Sequence, residues 1–479
     1  MILQMKSWIR ECKDQHNDCK TANVKKYQEG IGYRPPSRLL EVRNQDGEVS
    51  VRLISTKDIP SDTKYMTLSY RWPKESVVRL LQANEASFRQ RIDFHELPKT
   101  IQHAMLLVNI FECEYLWVDA LCIMQDSELD WLQESAKMCD YYSHSALSIS
   151  ASTIDPDLGF LGTRNPLAVM PCRIMPKGKA DPVFIRQVLS DSVNSYDSLK
   201  EHPVHQRGWV FQERMLAPRI LHFTDVEVVW ECATDLASDI YPTQPWDATI
   251  KKWLAGIYAA PEDSVDRNDS TEPSENHHPI LRHRGLFCWS PEIEVWPLLI
   301  EQYSTLNLTY ESDRLAAIGG LARQAQKVTS GNWGRYLAGI WERDLAIQLD
   351  WSTDFEILLG VPKNPRSEIY KAPSWSWASV NCGVRYERSQ TPTDDRWFDF
   401  VDVNLEYALG VHGPVKSGWL CLRGSLVQMN ISYPAENANL RPSNAFPLID
   451  ILLAHCIGVL RFTSVWTGTP ELRLPSRMG

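Results

Sequence analysis

The chain has 479 residues, enough for two or three domains, and its 43% hydrophobic and 23% charged residues exclude a mainly disordered or fibrous protein. Its net charge of −10 offers no general attraction to phosphate backbones or anionic lipid, so we expect no nucleic-acid partner. The longest apolar runs, residues 104–111 and 448–460, are shorter than the ~20 residues of a membrane helix, so no membrane span is predicted. The 11 cysteines form no CxxC pair and no signal peptide precedes them, which favours reduced thiols and a cytoplasmic location.

Strands and helices alternate in the first part of the chain. The predicted elements are a helix around Trp8, a hairpin of LLEVR and VSVRLIS joined at residues 44–47, a strand from Tyr65 that Pro73 stops, a helix from Leu97 to near Glu114, a strand over 115–123, a helix begun by Ser127 and a strand over 146–152. The run at 115–123 is too continuously apolar for a strand with one exposed face. This order predicts an α/β fold with a parallel sheet.

The later part of the chain predicts a second unit. Residues 259–283 are dominated by Asp, Glu, Ser, Asn, His and Pro, a composition typical of a loop or linker. Helices are predicted near 313–325 and 333–350, with strand-like segments after them. We therefore expect four regions: an N-terminal segment at 1–62, a central domain at 63–235, a variable linker at 236–288 and a C-terminal α+β region at 289–479.

Polar side chains interrupt the ends of two predicted strands. Ser69 and Arg71 close the strand that begins at Tyr65, and Asp119 lies toward the carboxyl end of the next one. Open α/β sheets bind ligands at the carboxyl ends of their strands, so these residues are candidates for a ligand site. The alternative for Asp119 is a loop anchor bonded to backbone amides. The alternative for Arg71 is an ion pair with Asp119 or Glu213 instead of a bound phosphate or carboxylate.

The stretch RGWVFQER at residues 207–214 places charge among large apolar side chains. If it is helical, Trp209 and Glu213 share one face, because they are four residues apart. Three arginines are near enough in sequence to neutralise the glutamate: Arg207, Arg214 and Arg219. Two interpretations stay open, an ion-paired glutamate in a structural helix and a carboxylate beside an aromatic wall in a cleft.

The triplet CxxxHxxC, formed by Cys12, His16 and Cys19, contains soft ligands that Zn²⁺ would accept if a fourth came from elsewhere. No companion pair is visible, so we expect buried small residues on a helix and predict no metal site. The motifs GxSxG, GxGxxG, GxxxxGK[ST] and HExxH do not occur.

Three blocks of the sequence together resemble the fungal heterokaryon-incompatibility (HET) domain, in order and with comparable spacing. They are YMTLSYRWP, the segment from LPKTIQHAML to YYSHSALSISAS, and RGWVFQERMLAPRILHFTDVEVVWEC, and they cover residues 65–232. The CxxxHxxC segment upstream and YLAGIWERDLAIQLDW and APSWSWAS downstream resemble the flanks of full-length members. The resemblance implies a fungal protein of non-self recognition that triggers programmed cell death, acting by self-association or with another incompatibility protein.

A more distant resemblance is to TIR domains. LSYR resembles their first-strand motif, and WVFQE resembles the helix whose glutamate acts in NAD⁺-cleaving members. It implies a TIR-like parallel sheet and, if the protein is an enzyme, an NAD⁺ nucleosidase with Glu213 as the catalytic carboxylate and NAD⁺ as substrate; no other cofactor is expected. The remaining candidates would line the binding site: Ser69, Arg71, Trp72, Asp119 and Trp209.

Other functions remain open on the sequence alone. A non-catalytic signalling scaffold would use the charged motif only for structure, and a HET fold recruited to specialised metabolism would use it for other acid-base chemistry. One departure from the family also bears on the site: Pro73 stands after LSYRW where glycine is usual, and proline fixes φ and removes an N–H.

Overall fold

The computed structural model describes residues 1–17, 19–20, 35–45, 47–60, 62–72, 78–162, 164, 172–175, 183–185, 196–240, 251, 254, 291–329, 331–343, 345–353, 369–386, 398–408, 410–424 and 471–474. The chain divides into two compact units, Met1–His283 and Arg284–Gly479. The predicted linker at 259–283 and Pro73 lie outside the described residues. The bounds predicted at 62, 235 and 288 stay predictions.

The first unit is built on an eight-stranded sheet with the order β10-β9-β8-β5-β3-β4-β1-β2. Its strands are β1 (Arg38–Gln45), β2 (Glu48–Ser55), β3 (Tyr65–Ser69), β4 (Tyr115–Trp117), β5 (Leu147–Ala151), β8 (Arg219–Phe223), β9 (Val228–Cys232) and β10 (Leu236–Ser238), and a separate pair is formed by β6 (Cys172–Ile174) and β7 (Val183–Ile185). The described helices of four or more residues that follow the α pattern are α1 (Ile2–Asp14), α2 (Glu85–Gln90), α3 (Lys99–Ile110), α4 (Asp119–Cys122), α5 (Glu128–Ser135), α6 (Met138–Ser143) and α7 (Gly208–Leu216).

Four central strands are parallel, and the outer strands are antiparallel. β3 pairs in parallel with β4 and β5, and β5 pairs in parallel with β8, while the β1–β2 and β9–β10 hairpins extend the two edges. The mixed sheet with flanking helices confirms the α/β fold. Counted along the chain, the parallel strands have the order 2-1-3-4, so the order reverses between β3 and β5. Doubly wound sheets bind ligands at such a reversal, at the carboxyl ends of the strands.

β3 and β5 lie in the centre of the sheet. Every residue of both strands is buried, as expected for parallel strands covered on two faces. Helix α3 packs against β1, β3 and β4 with a buried face that includes Ile101 and Val108. The predicted hairpin is confirmed, with Gln45 opposite Glu48 and Gly47 at φ +89, a conformation that favours glycine.

The prediction of one strand over 115–123 is wrong. β4 ends at Trp117, and α4 begins at Asp119, whose Oδ1 atom accepts a hydrogen bond of 2.7 Å from the amide of Ala120. Both elements are buried in the same core, so their continuous hydrophobicity does not distinguish a strand from a short helix. The turn places Asp119 at the carboxyl edge of the sheet.

The second unit contains small sheets and helices, in agreement with the predicted α+β class. Its described elements are α8 (Pro291–Ser304), α9 (Ala316–Val328), β11 (Tyr336–Leu337), β12 (Ile340–Trp341), α10 (Leu345–Leu349), β13 (Trp351–Thr353), β14 (Val384–Tyr386), β15 (Phe398–Tyr407), β16 (Val415–Gly424) and β17 (Glu471–Leu474). No helix in the described part of either unit is long and apolar enough to span a membrane.

The predicted helix over 333–350 is wrong for most of its length. A tight hairpin, β11–β12, occupies its first half because Gly334, Ala338 and Gly339 all have positive φ, which an α-helix does not allow. The carbonyl oxygen of Gly339 accepts hydrogen bonds from the indoles of Trp296 and Trp377, at 2.8 and 2.9 Å. Trp333 and Trp341, in the segment predicted to be helical, pack against each other in this aromatic core, with ring centroids 5.2 Å apart.

Candidate functional site

Ser69 and Glu213 meet at the reversal of strand order. Ser69 is the last residue of β3 and lies opposite Ser150 of β5, and its hydroxyl donates a hydrogen bond of 2.5 Å to Glu213 Oε2. Glu213 lies in α7, which is helical as predicted, and is 7% exposed. Among the described residues it forms no ion pair within 4 Å. Two residues predicted from separate motifs are therefore in direct contact.

Asp119 joins the same edge of the sheet from the neighbouring strand. It follows β4, is half-buried, and accepts a hydrogen bond of 3.0 Å from the indole of Trp72 at Oδ2. Its other oxygen accepts from the Ala120 amide. Asp119 is thus anchored to the backbone as the alternative interpretation expected, and it also faces the site.

The cation of the site is Arg207, and Arg71 has a different partner. Arg207 precedes α7, and its guanidinium donates to the carbonyl oxygen of Tyr70 in the loop after β3. It is close enough to lower the pKa of both Glu213 and Asp119. Arg71 donates to the carbonyl oxygen of Ile154 at 3.0 Å. Arg207 is the first residue of the RGWVFQER motif and directly precedes α7. Its place in that motif was the sequence signal that it lies close to Glu213.

Burial sets the protonation of the two carboxyl groups. The pKa of Glu213 is raised to about 7, mainly by removal from water and to a smaller extent by Asp119, while the Ser69 hydrogen bond and Arg207 act in the opposite direction. Burial also raises the pKa of Asp119, against the effects of Arg207 and Trp72. Glu213 therefore changes charge near neutral pH, which is typical of functional carboxyl groups.

Two buried tyrosine hydroxyls stand beside these carboxyl groups. The Tyr142 hydroxyl donates to the carbonyl oxygen of Leu68 at 3.3 Å, and its pKa is well above its ordinary value because of burial and the charge of Glu213. The Tyr70 hydroxyl, in a residue that is 2% exposed, interacts with the carboxyl group of Asp119. Burial and the neighbouring charge of Asp119 hold the pKa of Tyr70 well above its ordinary value.

The two candidate tryptophans have different neighbours. Trp72 is half-buried and is held by Asp119 at the rim. Trp209 is one helical turn before Glu213 on the same face of α7, and its ring packs edge to face on Trp131 of α5 at 6.4 Å. Trp209 thus shares a helix face with Glu213, and the interpretation of an aromatic wall beside the carboxylate stays a hypothesis.

Arg214 does not neutralise Glu213. Its guanidinium forms a bidentate pair with Glu231 of β9, at 2.8 and 3.2 Å, and Glu231 also bonds His222 at 2.8 Å. Successive helix residues point about 100° apart, so Glu213 and Arg214 face different neighbours. All three side chains of this network are 6% exposed or less. Sequence reasoning missed it because Glu231 and His222 look like ordinary strand residues.

Ser152, directly after β5, and His205, in the turn before α7, lie within hydrogen-bond distance of each other, as a nucleophile and its base would. Ser152 Oγ lies 3.0 Å from His205 Nε2, and Ser150 Oγ lies 3.1 Å from Ser152 Oγ. Ser152 is 0% exposed, and burial lowers the pKa of His205 well below its usual range. We interpret the pair as part of the buried polar framework between β5 and α7.

The residues CxxxHxxC are not just the buried face of a helix. Cys12, His16 and Cys19 meet Cys232 of β9, and the four potential ligand atoms lie within 4.8 Å of one another. Cys232 was missed because nothing in the sequence links it to the N-terminal triplet.

Comparison with known proteins supports the resemblance stated from the motifs. Residues 65–213 match the family model described as Heterokaryon incompatibility protein (HET), a range that begins with β3 and ends at Glu213. No curated protein and no solved structure matches the chain. Residues 65–213 are therefore a HET domain, which supports a function of the heterokaryon-incompatibility type in general.

Proposed function

We propose that the protein is an incompatibility effector that triggers cell death by cleaving NAD⁺ at the site around Glu213. The observation that carries the proposal is the position of a buried carboxyl group with a pKa of about 7 at the strand-order reversal, beside Asp119 and Arg207. Two carboxyl groups in unequal surroundings are typical of sites that handle a glycosidic bond.

In this mechanism the bond between nicotinamide and the ribose C1′ breaks, and its electron pair stays on the nicotinamide nitrogen. The positive charge that was on nicotinamide passes to the ribose as an oxocarbenium-like centre, which ionised Glu213 stabilises. A cationic substrate also favours the ionised form of Glu213, since an opposite charge lowers the pKa of a carboxyl group. Water attacks C1′, its proton passes to Asp119 and then to solvent, and ADP-ribose and nicotinamide leave.

The surrounding residues supply positioning. Ser69 fixes one oxygen of Glu213, and Arg207 is the cation nearest to the two carboxyl groups, suited to the pyrophosphate of the substrate. Trp72, held by Asp119, offers a ring for stacking at the half-buried rim. Arg71, at the same rim, would contact a phosphate only after releasing the Ile154 carbonyl oxygen.

Purified full-length protein is expected to release nicotinamide from NAD⁺, and Glu213→Gln should reduce the rate at least about 100-fold because it removes the stabilising charge. Nicotinamide is measured by chromatography at a range of protein concentrations, to include self-associated states. Glu134→Gln is the matched control: Glu134 is a buried carboxylate in the same unit, bonded by Ser37, Tyr141 and Lys137, and should keep the activity.

Equal rates in the wild type and Glu213→Gln would refute the catalytic role of Glu213. If the wild type releases no nicotinamide at any concentration, the scaffold function is favoured instead. Induced expression in a fungal host separates the two: growth arrest that Glu213→Gln abolishes supports an enzyme, and arrest that it leaves unchanged supports self-association or another partner.

A further inference from the structure

Three cysteines and a histidine from two distant parts of the chain converge outside the HET match. Cys12 lies in the last turn of α1, His16 and Cys19 follow it, and Cys232 ends β9. Each offers one ligand atom, and all four atoms lie within 4.8 Å of one another. The three cysteines are buried and His16 is half-buried.

The packing of α1 on β9 explains why these residues meet. Trp8 and Trp230 stack with ring centroids 6.4 Å apart. Cys12 is one helical turn after Trp8, and Cys232 is two residues after Trp230 on the same face of the strand. The aromatic contact therefore sets the register that brings the two thiols together, and the turn after α1 brings His16 and Cys19 to the same place.

The ligand set and spacing fit one metal better than others. Structural zinc sites are closed and tetrahedral, and three cysteines with one histidine are among their usual ligand sets. With bonds of 2.3 Å, tetrahedral ligands are about 3.8 Å apart, so the observed cluster needs only a small contraction. His16 Nδ1 is already 3.4 Å from Cys232 Sγ.

Polar groups contact two of the three sulfur atoms. The amide of Asp235 donates to Cys232 Sγ at 3.2 Å, and Thr234 Oγ1 lies 3.5 Å from Cys19 Sγ. Arg219 is the register partner of Cys232 across β8 and β9, and its buried Nε has no hydrogen-bond partner among the described residues. Zn²⁺ with three thiolates carries a charge of about −1, which a neighbouring guanidinium would balance.

We infer that Cys12, His16, Cys19 and Cys232 form a structural zinc site that fastens α1 to the end of β9. Four protein ligands leave no open position for a substrate, so the metal stabilises the fold and takes no part in catalysis. Both halves of the site lie outside residues 65–213, so the stable folding unit is larger than the HET match at both ends.

The test is the metal content of the full-length chain, purified without metal-affinity chromatography. We expect about one zinc per chain by mass spectrometry of the metal, and below about one tenth of that in Cys232→Ser and in His16→Ala, since each removes a ligand. Cys139→Ser is the control, because Cys139 is buried in α6, outside the cluster, and its Sγ lies 3.7 Å from the carboxylate of Asp140. A chelator strong enough to remove zinc should lower the melting temperature of the wild type and of Cys139→Ser.

A second measurement covers the case in which a ligand variant does not fold. Wild-type protein produced with cobalt should show the intense visible bands of tetrahedral cobalt bound to thiolates, which need no variant. Zinc at well below one equivalent together with no cobalt bands would overturn the inference. A disulfide between any two of the three cysteines in the native protein, seen by mass spectrometry without reduction, would also overturn it.

Discussion

Glu213→Gln is expected to stabilise the protein at pH 8 by about 3 kcal/mol relative to the wild type. A change in pKa from 4.5 to about 7 means that ionisation of the buried carboxyl group opposes folding, and one pKa unit corresponds to about 1.4 kcal/mol. Glutamine has nearly the same shape as the neutral acid and still accepts the hydrogen bond from Ser69. The substitution therefore removes the unfavourable charge and keeps the contact.

The pH dependence gives this prediction its sign. The pKa of Glu213 is higher in the folded state than in the unfolded state, so the stability associated with the neutral acid is fully present below pH 4.5. It is lost as the pH rises to about 7 and is constant above. The difference in unfolding free energy between Glu213→Gln and the wild type should be small at pH 4.5 and should reach its full size by pH 8.

Urea unfolding at the two pH values measures this difference. Glu134→Gln is the control with the opposite sign, because its carboxylate accepts three hydrogen bonds and the amide cannot accept all of them. A Glu213→Gln variant less stable than the wild type at pH 8 would show that partners hold the charged form of Glu213. If Glu213→Gln is more stable than the wild type and no longer releases nicotinamide, the charged Glu213 lowers stability but is needed for activity, a trade-off that is common at active sites.

Arg214→Met is expected to destabilise the first unit by about 3–5 kcal/mol, the cost of leaving the carboxylate of Glu231 buried without its partner. The Arg214 side chain is 6% exposed and that of Glu231 is 0% exposed, so water cannot replace the lost contact. His222 is neutral at pH 7, since burial lowers its pKa to about 4, so Lys251 is the cation that remains near Glu231 among the described residues.

The double variant Arg214→Met/Glu231→Gln should recover much of this loss, because it removes both charges. The same substitution at a surface pair, Arg89→Met beside Glu85, is the matched control and should cost less than about 0.5 kcal/mol. Urea unfolding of the wild type, Arg214→Met, Glu231→Gln and the double variant gives the coupling energy. An Arg214→Met cost no larger than that of Arg89→Met would mean that Glu231 is charged and solvated by other groups.

Acid should weaken the same network in the wild type. The pKa of His222 is lower in the folded than in the unfolded state, so its contribution is present above pH 6.5 and is lost as the pH falls toward 4. Burial opposes the charged form of Glu231, but Arg214, Lys251 and His222 outweigh it and keep the pKa of Glu231 well below its usual range. Its contribution is therefore lost only at still lower pH.

Several features of the fold and site followed from local sequence. The alternation of apolar segments predicted the α/β class, and polar residues at strand ends predicted that Ser69 and Asp119 would lie at one edge of the sheet. The spacing of Trp209 and Glu213 predicted a shared helix face. These predictions depend on periods of two and 3.6 residues and on the rule for strand ends, which are properties of short segments.

Partner choice depended on the tertiary structure. The sequence contains four arginines that could pair with Asp119 or Glu213. Only the directions of the side chains in the folded chain show that Arg207 lies by Glu213 and that Arg214 pairs with Glu231. The short helix at Asp119 and the hairpin at Gly339 were also beyond local patterns, because buried apolar runs look alike in strands, helices and turns. Cys232 meets Cys12 for the same reason: a contact between distant segments is set by how α1 packs on β9, and no local period contains it.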